Sequence, residues 1–408
     1  LRPTPGSCRG AGSARAMDPT RRLARGSLPP PRRRLPSAGP NIVVSDSPAC
    51  EEAPLGELDA AVPPTDRHFT RSHLPVPSIA RKDWRLSVEG RVRRSFLLTY
   101  RGLLRLPHRS RVVTMECAGN GRSRIVPAVG GVRWRDGAVG TARWTGVPLR
   151  ALLDRAGLLP EAREIVLEGA DRGREEGFDG EIGFAMSLPV SKARDPDTIL
   201  AFAMNDEPLR PSHGFPVRVI VPGWYGMASV KWLVRIRAIP GPFDGYYRTK
   251  SYVLIEKGDP PDRPPPPVTV LRVKSLITSP GSGARLSPGG HRVRGIAWSG
   301  EASIRRVELS ATPEGGGPGT LRREAALSRP SGAHAWIRWE ASVHLAAPGR
   351  YRLSARATDR AGNVQPLRTT WNLRGVATNS VHRIDVSVIA PERPARGSRR
   401  GPVRGRSP

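Results

Sequence analysis

Between residues 229 and 239, Val230, Trp232, Val234, Ile236 and Ala238 alternate with Lys231, Leu233, Arg235 and Arg237. Period two predicts a strand with one apolar face. Apolar-rich runs of strand length recur at 111–116, 164–168, 198–204 and 215–221 and predict four more strands. One stretch breaks the pattern. Residues 148–156 place Leu149, Leu152 and Leu153 on one face of a short helix, with Pro148 at its first position and Gly157 closing it. From Gly258 to Pro267 the chain is too rich in proline for a helix or a central strand, which marks a domain boundary. Beyond it, runs at 291–298, 304–310, 334–339 and 351–358 alternate with Gly/Pro/Asp turns. That rhythm predicts an all-β sandwich of immunoglobulin size.

Composition changes this picture at the two ends. Glycine (44) and proline (43) are abundant, and aromatic residues make up only 5% of the 408. Residues 1–40 hold nine arginines and residues 391–408 hold six, in Pro/Gly/Ser-rich sequence that predicts disorder. The organisation expected is a disordered N-terminal region over 1–65, a core domain over 66–255, a linker over 256–267, the β-sandwich over 268–390 and a disordered tail over 391–408.

The formal net charge of +30 raises the question of a nucleic-acid partner. Only six of the 66 basic residues are lysine, a skew that reads as coding bias, and much of the charge lies in the tails. Aromatic-interleaved basic stripes of the kind single-stranded nucleic acid binds are absent. No apolar run approaches the roughly 18 residues of a helical membrane span. The apolar stretch from Leu23 to Leu28 is too short and too polar for a signal peptide, so a cytoplasmic location is the default, and a periplasmic one would need a different start. Three cysteines, Cys8, Cys50 and Cys117, make no disulfide framework.

Three constellations carry candidate chemistry. In Met115-Glu116-Cys117-Ala118-Gly119-Asn120-Gly121-Arg122, a cysteine at a strand end faces arginines whose field favours thiolate, the form that binds soft metals; by local sequence alone a free cysteine is more usually a buried packing residue. In Arg71-Ser72-His73-Leu74-Pro75-Val76-Pro77, an arginine and a histidine sit in a stiff loop. In His213-Gly214-Phe215-Pro216-Val217-Arg218 and Val230-Lys231-Trp232, cations surround glycine turns suited to an anion such as a phosphate-bearing cofactor, or else form a solvated surface. Neither a Walker loop nor a dinucleotide-binding glycine motif is present.

Taken together, Arg71-x-His73-Leu-Pro-Val-Pro, Glu116-Cys-Ala-Gly-Asn, His213-Gly-Phe-Pro-Val-Arg, Val230-Lys-Trp and Trp371-Asn-Leu-Arg-Gly resemble the sulfite oxidase family of molybdenum enzymes. Five motifs in order, spread from about Arg67 to Val388, make the resemblance specific. It implies an α+β protein with a mixed α/β core that binds molybdopterin, followed by an immunoglobulin-like domain that mediates homodimerisation. It implies Cys117 as the protein ligand to molybdenum. It implies His73, Asp171, His213, Arg218 and Lys231 around the pterin and its phosphate, and Arg71, Arg122, Trp134, Tyr252 and Arg374 around the substrate. Ser72 stands where the family often has Asn, and Gly121 where its vertebrate members have the first of two arginines.

The expectation is therefore a sulfite-oxidising enzyme working by oxygen-atom transfer at a Cys-ligated molybdenum. It would carry no haem of its own and would pass electrons to an external acceptor such as a c-type cytochrome. Nitrate reduction and methionine-sulfoxide reduction are alternatives on the same core. A basic nucleic-acid binder and a cofactor-free structural protein are alternatives of other classes.

Overall fold

In the computed structural model, residues 40–176, 178–315 and 319–390 are described. The expected tails at 1–39 and 391–408 lie outside the described residues. Strands dominate, and the α-helices are short: Tyr100–Leu104, Leu149–Ala156 and Val190–Ala193. Among the described residues, no helix is long and apolar enough to cross a membrane.

Two five-stranded sheets build the first unit. One runs Glu207–Pro208, Ile199–Met204, Val139–Pro148, Arg109–Glu116, with Arg218–Ile220 also paired to Ile199–Met204. The other runs Phe96–Thr99, Arg85–Gly90, Leu233–Ile239, Glu164–Gly173, Ile182–Pro189. Pairing is antiparallel throughout this second sheet except between Leu233–Ile239 and Arg85–Gly90. The predicted helix forms at Leu149–Ala156 and ends at Gly157, whose amide bonds the Leu153 carbonyl.

Two predicted strands are shorter than the apolar pattern suggests. Leu233–Ile239 starts four residues late because Trp232 adopts φ +50°, which no strand accommodates. Of the run at 215–221 only Arg218–Ile220 pairs, after the proline at 216.

Residues 268–390 form two facing sheets. A four-stranded sheet runs Lys274–Ser279, Gly289–Trp298, Ile337–Leu345, Ala326–Leu327. A five-stranded one runs Arg285–Leu286, His382–Val388, Gly349–Asp359, Ile304–Pro313, Leu321–Glu324. Val293, Ile337 and Val343 from the first sheet share a core with Leu309, Leu353 and Val386 from the second. The two units are not separate globules: Trp298, Trp336 and Val376 pack in the same core as Val139 and Tyr225. Trp336 also donates its indole N–H to the Ala60 carbonyl at 2.9 Å.

The expected disorder over 1–65 is corrected from residue 40 onward. Ile42–Ser45 and Cys50–Glu52 pair antiparallel, and Cys50–Glu52 pairs in turn with Thr70–Arg71. Cys50, Ala53 and Leu58 are buried. The Asp46-Ser47-Pro48 turn reads locally as coil; order comes from partners distant in sequence, such as the Gly137 carbonyl that accepts from the Ala53 amide.

Candidate active site

A cleft opens where the two sheets of the first unit meet the loops at 68–73, 211–218 and 226–232. Eight of the eleven residues singled out in the sequence line it: Arg71, His73, Cys117, Asp171, His213, Arg218, Lys231 and Tyr252.

Cys117 follows the strand Arg109–Glu116 and is nearly buried as a free thiol. Burial raises its pKa, while the Arg71 and Arg122 guanidinium groups and the Gly119 amide pull it down. Its own amide bonds the Ala138 carbonyl at 2.9 Å, and its carbonyl accepts from the Asn120 amide at 2.9 Å.

The loop at 211–214 sets two cations. The short 3-10 helix Pro211–His213 ends at Gly214, with φ +98°. A Cβ there would press on the Lys231 and Arg218 side chains at 3.0 and 3.1 Å, so glycine lets both approach. Arg218 is fully enclosed and donates to the His213 carbonyl at 3.1 Å and the Ser229 carbonyl at 2.8 Å. Its guanidinium lies over the Trp144 ring, and its Nε has no partner among the described residues. Burial lowers its pKa to about 9, which leaves it a cation at neutral pH. Lys231 donates to Ser72 Oγ at 3.1 Å and the Ser212 carbonyl at 2.9 Å. Burial, with Arg218 alongside, takes its ammonium well below the ordinary lysine range.

The histidines are held neutral. His73 stacks on Phe184, meets Tyr247 edge-on and hydrogen-bonds Tyr252 Oη. Burial pushes both His73 and His213 well below the usual imidazole range, reinforced at His73 by Arg71 and at His213 by the neighbouring His68 and Arg218. Tyr252 is held well above the ordinary phenol range by burial, so its hydroxyl stays protonated. The carboxyl of Asp171 is raised to about 6, chiefly by burial, and its Oδ1 has no partner among the described residues.

Three singled-out residues lie outside the cleft lining. Arg122 folds over the cysteine turn and donates to the Gly375 carbonyl at 3.2 Å and the Val132 carbonyl at 2.9 Å. It remains close enough to Cys117 and Tyr252 for each to influence its charge. Trp134 is wholly buried with its indole N–H unpartnered among the described residues. Arg374 is exposed, in a segment whose Gly375 carbonyl takes the Arg122 bond and whose charge reaches Tyr246.

Gly121, which replaces an arginine of the vertebrate pattern, has φ +91° and sits against Thr378 Oγ1. His68 is a cleft residue that the motifs leave out: it touches His213 edge-on at 5.5 Å and keeps an unpartnered Nε2 among the described residues. Its Nδ1 lies 3.1 Å from the Phe69 carbonyl, which can only accept, so that nitrogen carries the proton. A second histidine five residues before His73 was the available signal.

The match to a molybdopterin can be tested on these groups. Arg71, Arg218 and Lys231 face the cleft with Asp171 as the sole carboxylate among the lining residues. Enclosed cations without matching acids, together with bare Arg218 Nε, His68 Nε2 and Asp171 Oδ1, need an anionic, hydrogen-bonding occupant. A thiol at the same cleft supplies a soft-metal ligand. The residues present suit a phosphate-bearing pterin with a thiolate-bound metal.

Comparisons with known proteins agree. Residues 73–247 match the family model described as the oxidoreductase molybdopterin binding domain, and residues 266–389 match the Mo-co oxidoreductase dimerisation domain. The mitochondrial sulfite oxidase of Drosophila melanogaster is 36% identical over 85% of this chain and 63% of its own length. Sulfite oxidase of Gallus gallus is 36% identical over 85% of this chain and 78% of its own. The inducible NADH nitrate reductase 1 of Glycine max is 33% identical, over 84% of this chain and 41% of its own length. Among solved structures, the sulfane dehydrogenase SoxCD of Paracoccus pantotrophus superposes with a TM-score of 0.71 at 28% identity, covering 86% of this chain and 87% of that one. The chain thus spans about two thirds of the length of the fruit-fly relative.

Proposed function

The chain belongs to the sulfite oxidase family of molybdopterin-dependent oxidoreductases, and from that membership we propose that it oxidises sulfite to sulfate and hands the electrons to a separate acceptor. The observation that carries the proposal is the cation-rich cleft holding the Cys117 thiol. A cofactor bound there supplies two-electron redox chemistry and oxygen-atom transfer at molybdenum.

The chain's own groups divide the remaining work. Cys117 Sγ holds the metal. Lys231 and Arg218 hold the cofactor's phosphate by charge-assisted bonds. His213, His73 and Asp171 hold the pterin, with His68 as an added neighbour. The two imidazoles, kept neutral by burial, bind without adding charge, and Asp171 at about 6 can present a proton to an acceptor or accept from a donor near neutrality. Arg71, with Arg122 behind the cysteine turn, attracts an oxyanion. Tyr252, protonated and bonded to His73, donates from Oη to substrate or water. Trp134 supports the cysteine turn from the core. Arg374 draws the anion toward the rim.

Sulfite is favoured over nitrate because the sulfite oxidases match more of their own length at higher identity than the nitrate reductase does. The sulfane dehydrogenase also acts on sulfur, which supports a reduced-sulfur substrate. We assign 66–255 as the cofactor domain, 256–267 as the linker and 268–390 as an immunoglobulin-like domain that pairs two copies of the chain. A c-type cytochrome suits the acceptor role.

Molybdenum and pterin are measured on the purified protein, followed by sulfite oxidation with ferricyanide and nitrate reduction with reduced viologen. One molybdenum per chain with sulfite-dependent turnover is expected. Metal-free protein, or nitrate turnover without sulfite turnover, would overturn the reading.

A further inference from the structure

The strand that delivers Cys117 ends in Glu116, whose carboxylate is buried against a cation of the other unit. Lys274, in the first strand of the C-terminal unit, is itself fully buried and donates at 2.8 Å to Glu116 Oε1, at 3.2 Å to the Asn120 carbonyl and at 3.0 Å to the Thr378 carbonyl. All three ammonium protons are thereby placed. The same carboxylate accepts from Asn120 Nδ2 at 3.0 Å and, on its other oxygen, from Trp298 Nε1 at 2.9 Å. Asn120 Oδ1 in turn takes the Ala138 amide at 3.1 Å, and the Ala138 carbonyl takes the Cys117 amide. Asn120 also gives its amide to the Cys117 carbonyl, and the Ala118 carbonyl accepts from the Ala377 amide at 2.7 Å.

We propose that Lys274 is a positioning residue for the reaction: from the C-terminal unit it fixes the 116–121 turn and so aims the Cys117 thiol at the metal. The inference rests on the reading of Cys117 as the metal ligand. Two physical points carry it. A buried ion pair costs desolvation that well-packed apolar residues would not, so it contributes geometry more than stability. The geometry it fixes is that of Cys117, because both backbone groups of Cys117 bond residues that belong to the network, Asn120 and the Ala138 it holds. An ammonium satisfies three separated acceptors, which the planar fork of arginine does not reproduce. The C-terminal unit therefore completes the cysteine site as well as any role it has in assembly.

The test uses the full chain with Lys274→Met and with Lys274→Met/Glu116→Gln. The second removes both charges, so that no uncompensated carboxylate stays buried, and it decides the matter if the single variant does not fold. His334→Gln, which breaks the contact of His334 with Asp197 elsewhere on the seam between the units, is the control for general loosening. Two readouts are taken: the thiolate-to-molybdenum absorption and Mo(V) resonance of loaded protein, and the iodoacetamide alkylation rate of Cys117 in cofactor-free protein, resolved by peptide mass. The expected result is a shifted metal spectrum and at least about tenfold faster alkylation of Cys117 in both Lys274 variants, with neither change in the His334 variant. Wild-type spectrum and alkylation rate in the folded double variant would overturn the proposal, as would equal changes in the control. Cys117→Ser tests the underlying reading separately: if it keeps the thiolate-to-metal band, Cys117 is not the ligand, whatever Lys274 does.

Discussion

Lys231 and Arg218, proposed to bind the cofactor, would show what a binding residue costs its own protein. Each is a cation held by backbone carbonyls inside the cleft, with burial working against its charge. Such groups are kept for a ligand, and a site of this kind trades stability for function. Lys231→Met should therefore lower molybdenum per chain and speed its loss on dialysis, while the cofactor-free protein melts no lower than wild type. One charge-assisted bond is worth roughly 1.5–3 kcal/mol, so cofactor affinity should fall by about ten- to over a hundredfold. Unchanged loading would remove Lys231 from the site. Arg374 is the opposite case. The resemblance placed it with the substrate, and the structure leaves it exposed beyond the cleft lining. An exposed charge acts through a screened field, typically worth less than about 1 kcal/mol. Arg374→Gln should raise KM for sulfite no more than about fivefold at low ionic strength, and the difference should vanish at high salt, where the Debye length shrinks to a few ångströms. A large, salt-independent rise would place this guanidinium on the substrate itself.

Turns do more to build the site than the strands they join. The strands were legible because each is long, apolar and repetitive: Arg109–Glu116, Glu164–Gly173 and Gly289–Trp298 all appear where the pattern put them, and extend past it by tertiary pairing. Cys117, His213 and Lys231 were legible because short motifs mark them. What stayed hidden depends on distant partners. The strands at 42–52 have no periodicity of their own, and His68 is a cleft residue only because the Thr70–Arg71 pairing turns its segment inward. Gly214 is the turn with the clearest consequence. Its left-handed φ costs a side-chain-bearing residue about 1–2 kcal/mol, and its Cβ would meet Lys231 and Arg218. Gly258 has a similar φ of +93° with open space around it. Gly214→Ala should lower Tm by a few degrees and reduce cofactor loading; Gly258→Ala should cost the backbone penalty alone. Thermal melts and molybdenum content of the two variants check this, and equal loading in both would mean that the crowding at residue 214 is harmless.

At the scale of the molecule, the seam between the units is lined with buried ionisable groups, and this gives stability a predictable pH dependence. His382, in the C-terminal unit, accepts the Ile277 amide on Nδ1 at 3.0 Å and turns Nε2 toward Asp136 of the first unit at 3.7 Å. Burial lowers its pKa to about 4, and His68 is lowered to about 4 for the same reason. In the unfolded chain both imidazoles titrate near 6.5. Between these values the unfolded state binds protons that the folded state refuses, so stability is fully present above about pH 6.5 and is lost as pH falls toward 4. Each histidine contributes up to about 3 kcal/mol over that window, at one pKa unit per 1.36 kcal/mol. The slope is about 1.4 kcal/mol per pH unit for each proton taken up on unfolding. Asparagine offers an acceptor near the position of Nδ1 without a titrating ring. His382→Asn should therefore keep the Ile277 bond, flatten the pH dependence between 6.5 and 4 by about one proton, and leave the slope above pH 7 unchanged. Denaturant melts at half-unit steps across that range measure the slope directly. A variant slope equal to wild type would mean that His382 takes up its proton in the folded protein, with Asp136 close enough to hold the imidazolium, and that the seam stays closed in acid.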